Sequence, residues 1–174
     1  MVEFAMASTS QLQNVARFTI ETDAIQDNGF FDPRYTCDID NSSPHLRWSN
    51  PPEGTVGYAL LAEDLDHPKQ ISHWVIFNIP VVVEHLPAGI PPQEALPNGI
   101  RQGLNGWGKL GYAGPCPPPG NTIHRYRLRL LALRALPEIR QRLNREELLQ
   151  AIEPFIIETA TIEGRYQRMM QIAG

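Results

Sequence analysis

The chain predicts a mainly β protein: a largely antiparallel sheet with short helices docked on it near the C-terminal end. Three observations carry that expectation. Residues 57–64, 73–80 and 124–133 are apolar or alternating runs of strand length. Residues 87–120 are too dense in proline and glycine for a long helix or a central strand. Helical spacing is confined to the last third of the chain.

In order, residues 1–16 are weakly patterned and read as a loose lead-in. Arg17-Phe18-Thr19-Ile20 then alternates as a strand does, and Asp27-Asn28-Gly29 with Asp32-Pro33 supply turn chemistry. Gly57 to Asp64 has the length and apolarity of a buried strand, with Tyr58, Leu60, Ala62, Asp64 and, if the strand continues, Asp66 on one face. The aromatic and β-branched run from His73 to Ile79 suits a pleated surface, and Pro80 stops it. The proline-rich stretch that follows is expected to cross one end of the sheet as an ordered loop, with Trp107 and Tyr112 as anchors. From His124 to Leu133, His124, Tyr126, Leu128 and Leu130 share one face, while Arg125, Arg127 and Arg129 share a second, which is read as solvated.

Near the end, Asn144 and Glu147 have capping-box spacing before Leu148, Leu149 and Ile152. Pro154 reads as the first-turn residue of a second helix, striped by Ile156, Ile157, Ala160 and Ile162 and ended by Gly164.

Composition narrows the function. A length of 174 residues and an apolar share of 42% suit one domain over residues 1–174. A net charge of -4 argues against nucleic acid, whose phosphates demand concentrated positive charge. No apolar run approaches the roughly 20 residues that span a bilayer, so stable membrane insertion is not expected and a cytoplasmic location is. Cys37 and Cys116 have no metal or disulfide-framework spacing and are expected to be two reduced thiols.

The chemistry concentrates in two segments. One is Asp64-Leu65-Asp66-His67-Pro68 with His73-Trp74; the other is Gly114-Pro115-Cys116-Pro117-Pro118-Pro119-Gly120 with His124-Arg125-Tyr126. If the strands bring them together, Asp64 orients a histidine whose outward nitrogen faces a cavity, and Tyr126 adds a hydroxyl on the His124 face. Such donors suit a small anion such as a phosphate monoester head group. The stiff loop adds a wall that loses little entropy on binding. A metal site from Asp64, His73 and His124 is a weaker reading because no local ligand pair exists, and no cofactor is expected. If protonated histidine is the donor, affinity weakens as pH rises through the imidazole range.

These ordered motifs, with Ser43-Pro44, Asn98-Gly99, Gly103-Leu104-Asn105 and Gly164-Arg165-Tyr166 in support, resemble the phosphatidylethanolamine-binding protein family, in its bacterial branch called Raf kinase inhibitor-like. The resemblance implies an antiparallel β-sandwich with peripheral helices and one small anion pocket at a sheet end. It implies pocket roles for Asp64, His73, His124 and Tyr126, with Asp66, Pro68, Pro118 and Gly120 in support. Leu65 and His67 depart from the usual motif at the rim, Ile39 stands where glycine is expected, and Pro154 where glycine is common. The reading is a non-catalytic, regulatory binding module for a phosphate or phosphoethanolamine-like head group, with a homodimer compatible. Its alternatives are an inhibitor that contacts a protein kinase or protease and, less favoured, a hydrolase using a pocket histidine.

Overall fold

The structure, a computed structural model, describes residues 16–120 and 122–169; all of the expected lead-in except Ala16 lies outside them. Two antiparallel sheets stack with one helix outside. Strands β1 (Thr19–Thr22), β2 (Leu46–Ser49) and β5 (His85–Leu86) form the small sheet, with β2 central. The large sheet runs β6-β4-β3-β7-β8, from β3 (Gly57–Asp64), β4 (Ser72–Pro80), β6 (Arg101–Gln102), β7 (Ile123–Leu133) and β8 (Ile156–Gln167).

Every residue of β3 is buried because its sheet is the middle layer. Tyr58, Leu60 and Ala62 face the small sheet, packing with Trp74, Leu128, Leu130 and Trp48. Ala59 and Leu61 face the other way, against Val75, Phe77, Leu148 and Ile152. The last two lie on helix α1 (Arg145–Ile152), whose start carries the expected capping box: Glu147 N donates to Asn144 Oδ1 and Asn144 N to Glu147 Oε2.

Three expectations are corrected. The second helix does not form: after a single 3-10 turn (Glu153–Phe155) that holds Pro154, the chain becomes β8 and pairs along the length of β7. Ile156, Thr159, Thr161 and Ile162 are β-branched and stiff at χ1, and a period of two fits Ala160, Gly164 and Tyr166, which are buried, as well as helical spacing fits Ile156 and Ala160. The unpaired edge of β7 decides between the two. Gly164 ends nothing; it sits mid-strand, where a Cβ would meet Ile25 Cγ1 and the Phe31 ring at 2.8 Å.

The arginine face is not simply solvated. Arg127 and Arg129 converge with Arg145 of α1 on the carboxylate of Glu63, which is 2% exposed. Only Arg125 lies outside the cluster, bound to Asp66. Alternation located the face but could not know that α1 covers it.

Finally, Cys37 and Cys116 are joined in a disulfide across 79 residues of sequence. Their separation in sequence hid a pairing that the fold creates by laying the 114–120 loop on the turn after Tyr35. The positive φ in that turn falls on Asn41, at 50°, and not on Ile39, so a β-branched residue is tolerated at the position where glycine was expected.

Candidate anion-binding site

β3 and β7 pair so that Asp64 is opposite Tyr126, which puts Asp64, Tyr126 and His124 on one face at the sheet end. His73 reaches the same place through an irregularity. Ala62 pairs with Trp74 but Glu63 pairs with Ser72, so the ladder skips His73. A bulge re-aims a side chain; strict alternation from Trp74 would have sent His73 to the far face. Its ring lies 5.2 Å from that of Tyr126, edge to face, and the His124 ring lies 6.3 Å from Tyr126 in a stacked arrangement. The tyrosine ring therefore sits between the two imidazoles.

Each member is nearly buried: Asp64 3%, His73 4%, His124 7% and Tyr126 3% exposed. Asp64 does two jobs. Its Oδ1 accepts the N–H groups of Asp66 and His67, closing the turn after β3, and its Oδ2 contacts His124 Nδ1 at 2.7 Å. A carboxylate there fixes the Nδ1–H tautomer and turns Nε2 outward. His73 Nδ1 lies 2.6 Å from the Ala113 carbonyl oxygen; a carbonyl only accepts, so Nδ1 carries the proton and Nε2 is left for a ligand. Burial pushes the His73 pKa below the ordinary imidazole value, against the opposing pull of the Ala113 carbonyl and Asp64.

The Tyr126 hydroxyl is the unsatisfied group. It is buried and completes no hydrogen bond among the described residues, although the Asp64 carboxylate and the Cys116 main chain are close. Burial, then the Asp64 charge, pushes its pKa far up, so it remains a neutral O–H donor at any physiological pH. A buried hydroxyl without a partner costs about 1–3 kcal/mol, and a ligand oxygen would remove that cost.

The remaining sequence candidates lie around this set. Asp66 does not join Asp64, because β3 ends at Asp64; it accepts from Arg125 N, Nε and Nη2, and those bonds hold its carboxyl down to about 2. Pro68 and Pro118 are exposed, and Gly120 is tied through N–H to the Arg168 carbonyl. None of the three contacts the histidines or Tyr126 through a hydrogen bond.

The wall behind Tyr126 is held rigidly. Gly114 N donates to Asn41 Oδ1, Cys37 N donates to the Pro115 carbonyl, and Tyr112 donates to the Tyr35 carbonyl. A Cβ on Gly114 would meet Tyr35 O at 2.3 Å and Thr36 Cα at 2.8 Å. Gly114→Ala is therefore expected to displace the loop and cost about 2 kcal/mol of stability, measurable by urea denaturation; an unchanged midpoint would contradict this close approach.

Comparison with known proteins agrees with this architecture. The description of the phosphatidylethanolamine-binding protein family matches residues 21–167. A UPF0098 protein of Methanothermobacter thermautotrophicus is 41% identical over 150 residues, covering 86% of this chain and 98% of the relative. The crystal structure of Escherichia coli YbcL, described as a new member of the mammalian PEBP family, superposes with a TM-score of 0.80 at 30% identity, covering 87% of this chain and 99% of that one. CT736 from Chlamydia trachomatis, a putative homolog of the same family, gives a TM-score of 0.76 at 29% identity, with 87% and 97% covered. The chain belongs to the phosphatidylethanolamine-binding protein family.

Proposed function

We propose that this protein binds a small anion, a phosphate monoester or a similar head group, at the end of the large sheet, and that it does so without catalysis. The observation that carries the reading is the buried Tyr126 hydroxyl, without a hydrogen-bond partner among the described residues, flanked by two imidazoles whose Nδ1 atoms are already engaged. Tyr126 O–H donates to a ligand oxygen, and His124 Nε2, its ring proton held on Nδ1 by Asp64, faces the same ligand and donates to it only when the ring is protonated on both nitrogens. His73 Nε2 accepts from a ligand hydroxyl while the ring is neutral and donates once it is protonated. No serine or cysteine is bonded to either imidazole among the described residues, so hydrolysis by an activated nucleophile has no support. A phosphorylated side chain of a kinase or protease partner would present the same oxygens, and a regulatory role would act through that recognition.

Among the described residues no helix is long and apolar enough to cross a membrane. The Cys37–Cys116 disulfide favours an oxidising compartment over the cytoplasmic location expected from composition.

Calorimetric titration of inorganic phosphate and O-phosphoethanolamine tests the reading: saturable one-site binding is expected, and no heat at millimolar ligand would sink it. The pH dependence has a definite sign. An anion prefers protonated His73, whose free pKa lies below 6.5, so affinity climbs as pH falls and levels off only below that depressed value. Sulfate, dianionic throughout, is the probe of choice; equal affinity at pH 5 and pH 8 would exclude His73 as a donor.

A further inference from the structure

Beside the His73 ring, at a centroid distance of 5.0 Å and nearly perpendicular to it, lies the indole of Trp107. Trp48 and Trp74 are 4% and 0% exposed, whereas Trp107 is 49% exposed. That exposure is not the looseness of a floppy loop. Asn105 Oδ1 accepts the N–H groups of both Trp107 and Lys109, Asn105 Nδ2 donates to the Gly111 carbonyl, and Gly106 N donates to Ser72 O. Gly106 is pressed so closely on the start of β4 that a Cβ there would meet Ile71 Cγ2 at 2.5 Å. A large apolar ring is thus held in place at the mouth of a polar site, with its surface still in water.

Two grooves flank the indole, of about 550 and 610 Å³. One also holds His67, Lys69, Arg145 and Glu146, and the other Lys109 and Arg142. Glu146, among the described residues the one carboxylate lining either groove, is bonded to Arg145 Nη1. An ammonium group leaving the pocket along Trp107 would meet lysines and no free carboxylate. An apolar or planar substituent would gain the indole surface and lose nothing to those charges.

We propose that Trp107 is a specificity-determining residue of this site and selects phosphate monoesters with an aryl or similarly planar apolar substituent over both free phosphate and the ammonium-bearing head group. The inference rests on the anion-binding reading above. The phosphate sits on His73, His124 and Tyr126, and the ring it carries packs on the indole beside His73. Aromatic contacts of this kind are worth about two- to twelvefold in affinity.

The test is calorimetric titration of phenyl phosphate, O-phosphoethanolamine and inorganic phosphate into the wild type, Trp107→Ala, Trp107→Phe and His124→Ala. Phenyl phosphate is expected to bind the wild type about two- to twelvefold more tightly than the other two and to quench the fluorescence of the exposed indole. The preference collapses in Trp107→Ala and largely returns in Trp107→Phe. A wild type without preference, or a preference intact in Trp107→Ala, overturns the inference. If inorganic phosphate still binds and is lost in His124→Ala, the anion site itself survives that result. Absence of any phosphate binding removes both.

Discussion

Replacing Glu63 with alanine is expected to lower the melting temperature by about 6–12 °C, corresponding to about 3 kcal/mol. The carboxylate is 2% exposed and receives Arg127, Arg129 and Arg145, whose side chains are 28%, 20% and 17% exposed. Removing it leaves Arg127 and Arg129 without a counter-charge and Arg145 with only its bond to Glu146, and Arg129 Nε already lacks a partner among the described residues. Water reaches the arginines in part, which keeps the effect at the lower end of what breaking a buried ion pair costs. Burial pushes the Glu63 carboxyl up, but Arg129, Arg145 and Arg127 together outweigh it and hold its pKa below the ordinary value. A carboxyl depressed in the folded state contributes stability that is complete above its unfolded value, near 4.5, and is lost as pH falls through the lower folded one. The wild type should therefore lose melting temperature more steeply than Glu63→Ala below about pH 4.5. Calorimetric scans of both proteins at pH 7 and pH 3.5 check this; a change under about 2 °C at pH 7 would show the cluster to be energetically idle.

Reduction of the Cys37–Cys116 disulfide is the second large effect. The bridge closes a loop of 79 residues, and opening it is expected to cost about 2–4 kcal/mol, or about 5–15 °C in melting temperature. Cys116 is exposed and Cys37 half-buried, so a dithiol can reach the sulfurs without prior unfolding. Function should follow stability, because the bridge fastens the 114–120 loop to the turn whose Asn41 holds Gly114, and Tyr126 lies against the Cys116 main chain. Reduced protein and the Cys37→Ser/Cys116→Ser double variant should melt earlier and bind phosphate more weakly. Protein purified without reductant, unfolded and alkylated should gain no mass; two adducts would restore the reduced thiols expected from the sequence.

The parts of the fold that were legible in sequence are those where local pattern and burial agree. The run 57–64 has the apolarity of a buried strand, 124–133 alternates, and Asn144 with Glu147 announces a helix start; all three are found. Where two periods fit equally, tertiary pairing decided: the segment from Ile156 to Gly164 satisfies a helix stripe and a strand, and the free edge of β7 selects the strand. The Glu63 cluster was invisible because its third arginine, Arg145, lies 82 residues away on a helix whose docking face only the fold defines.

The site divides in the same way. Asp64, His124 and Tyr126 share a face by simple alternation and register. His73 arrives through a bulge that no periodicity encodes, since alternation from Trp74 directs it away. Asp66 followed the opposite course: alternation grouped it with Asp64, but the turn that Asp64 itself closes ends the strand and delivers Asp66 to Arg125. The place of Trp107 beside His73 was not legible, because a lone tryptophan in a glycine-rich loop reads as an anchor. Only its 49% exposure beside the buried His73 sets it apart.

The proposed site has His124, oriented by Asp64, receive an anion together with Tyr126. Isothermal titration of inorganic phosphate into the wild type and a folded His124→Ala variant tests it most directly, with folding verified by an unchanged circular dichroism spectrum and a cooperative melt. Saturable binding is expected that weakens by at least about tenfold in the variant, the loss of one hydrogen bond to a charged ligand of about 1.5–3 kcal/mol. Equal affinity in the two proteins would contradict it and place any anion binding elsewhere on the molecule.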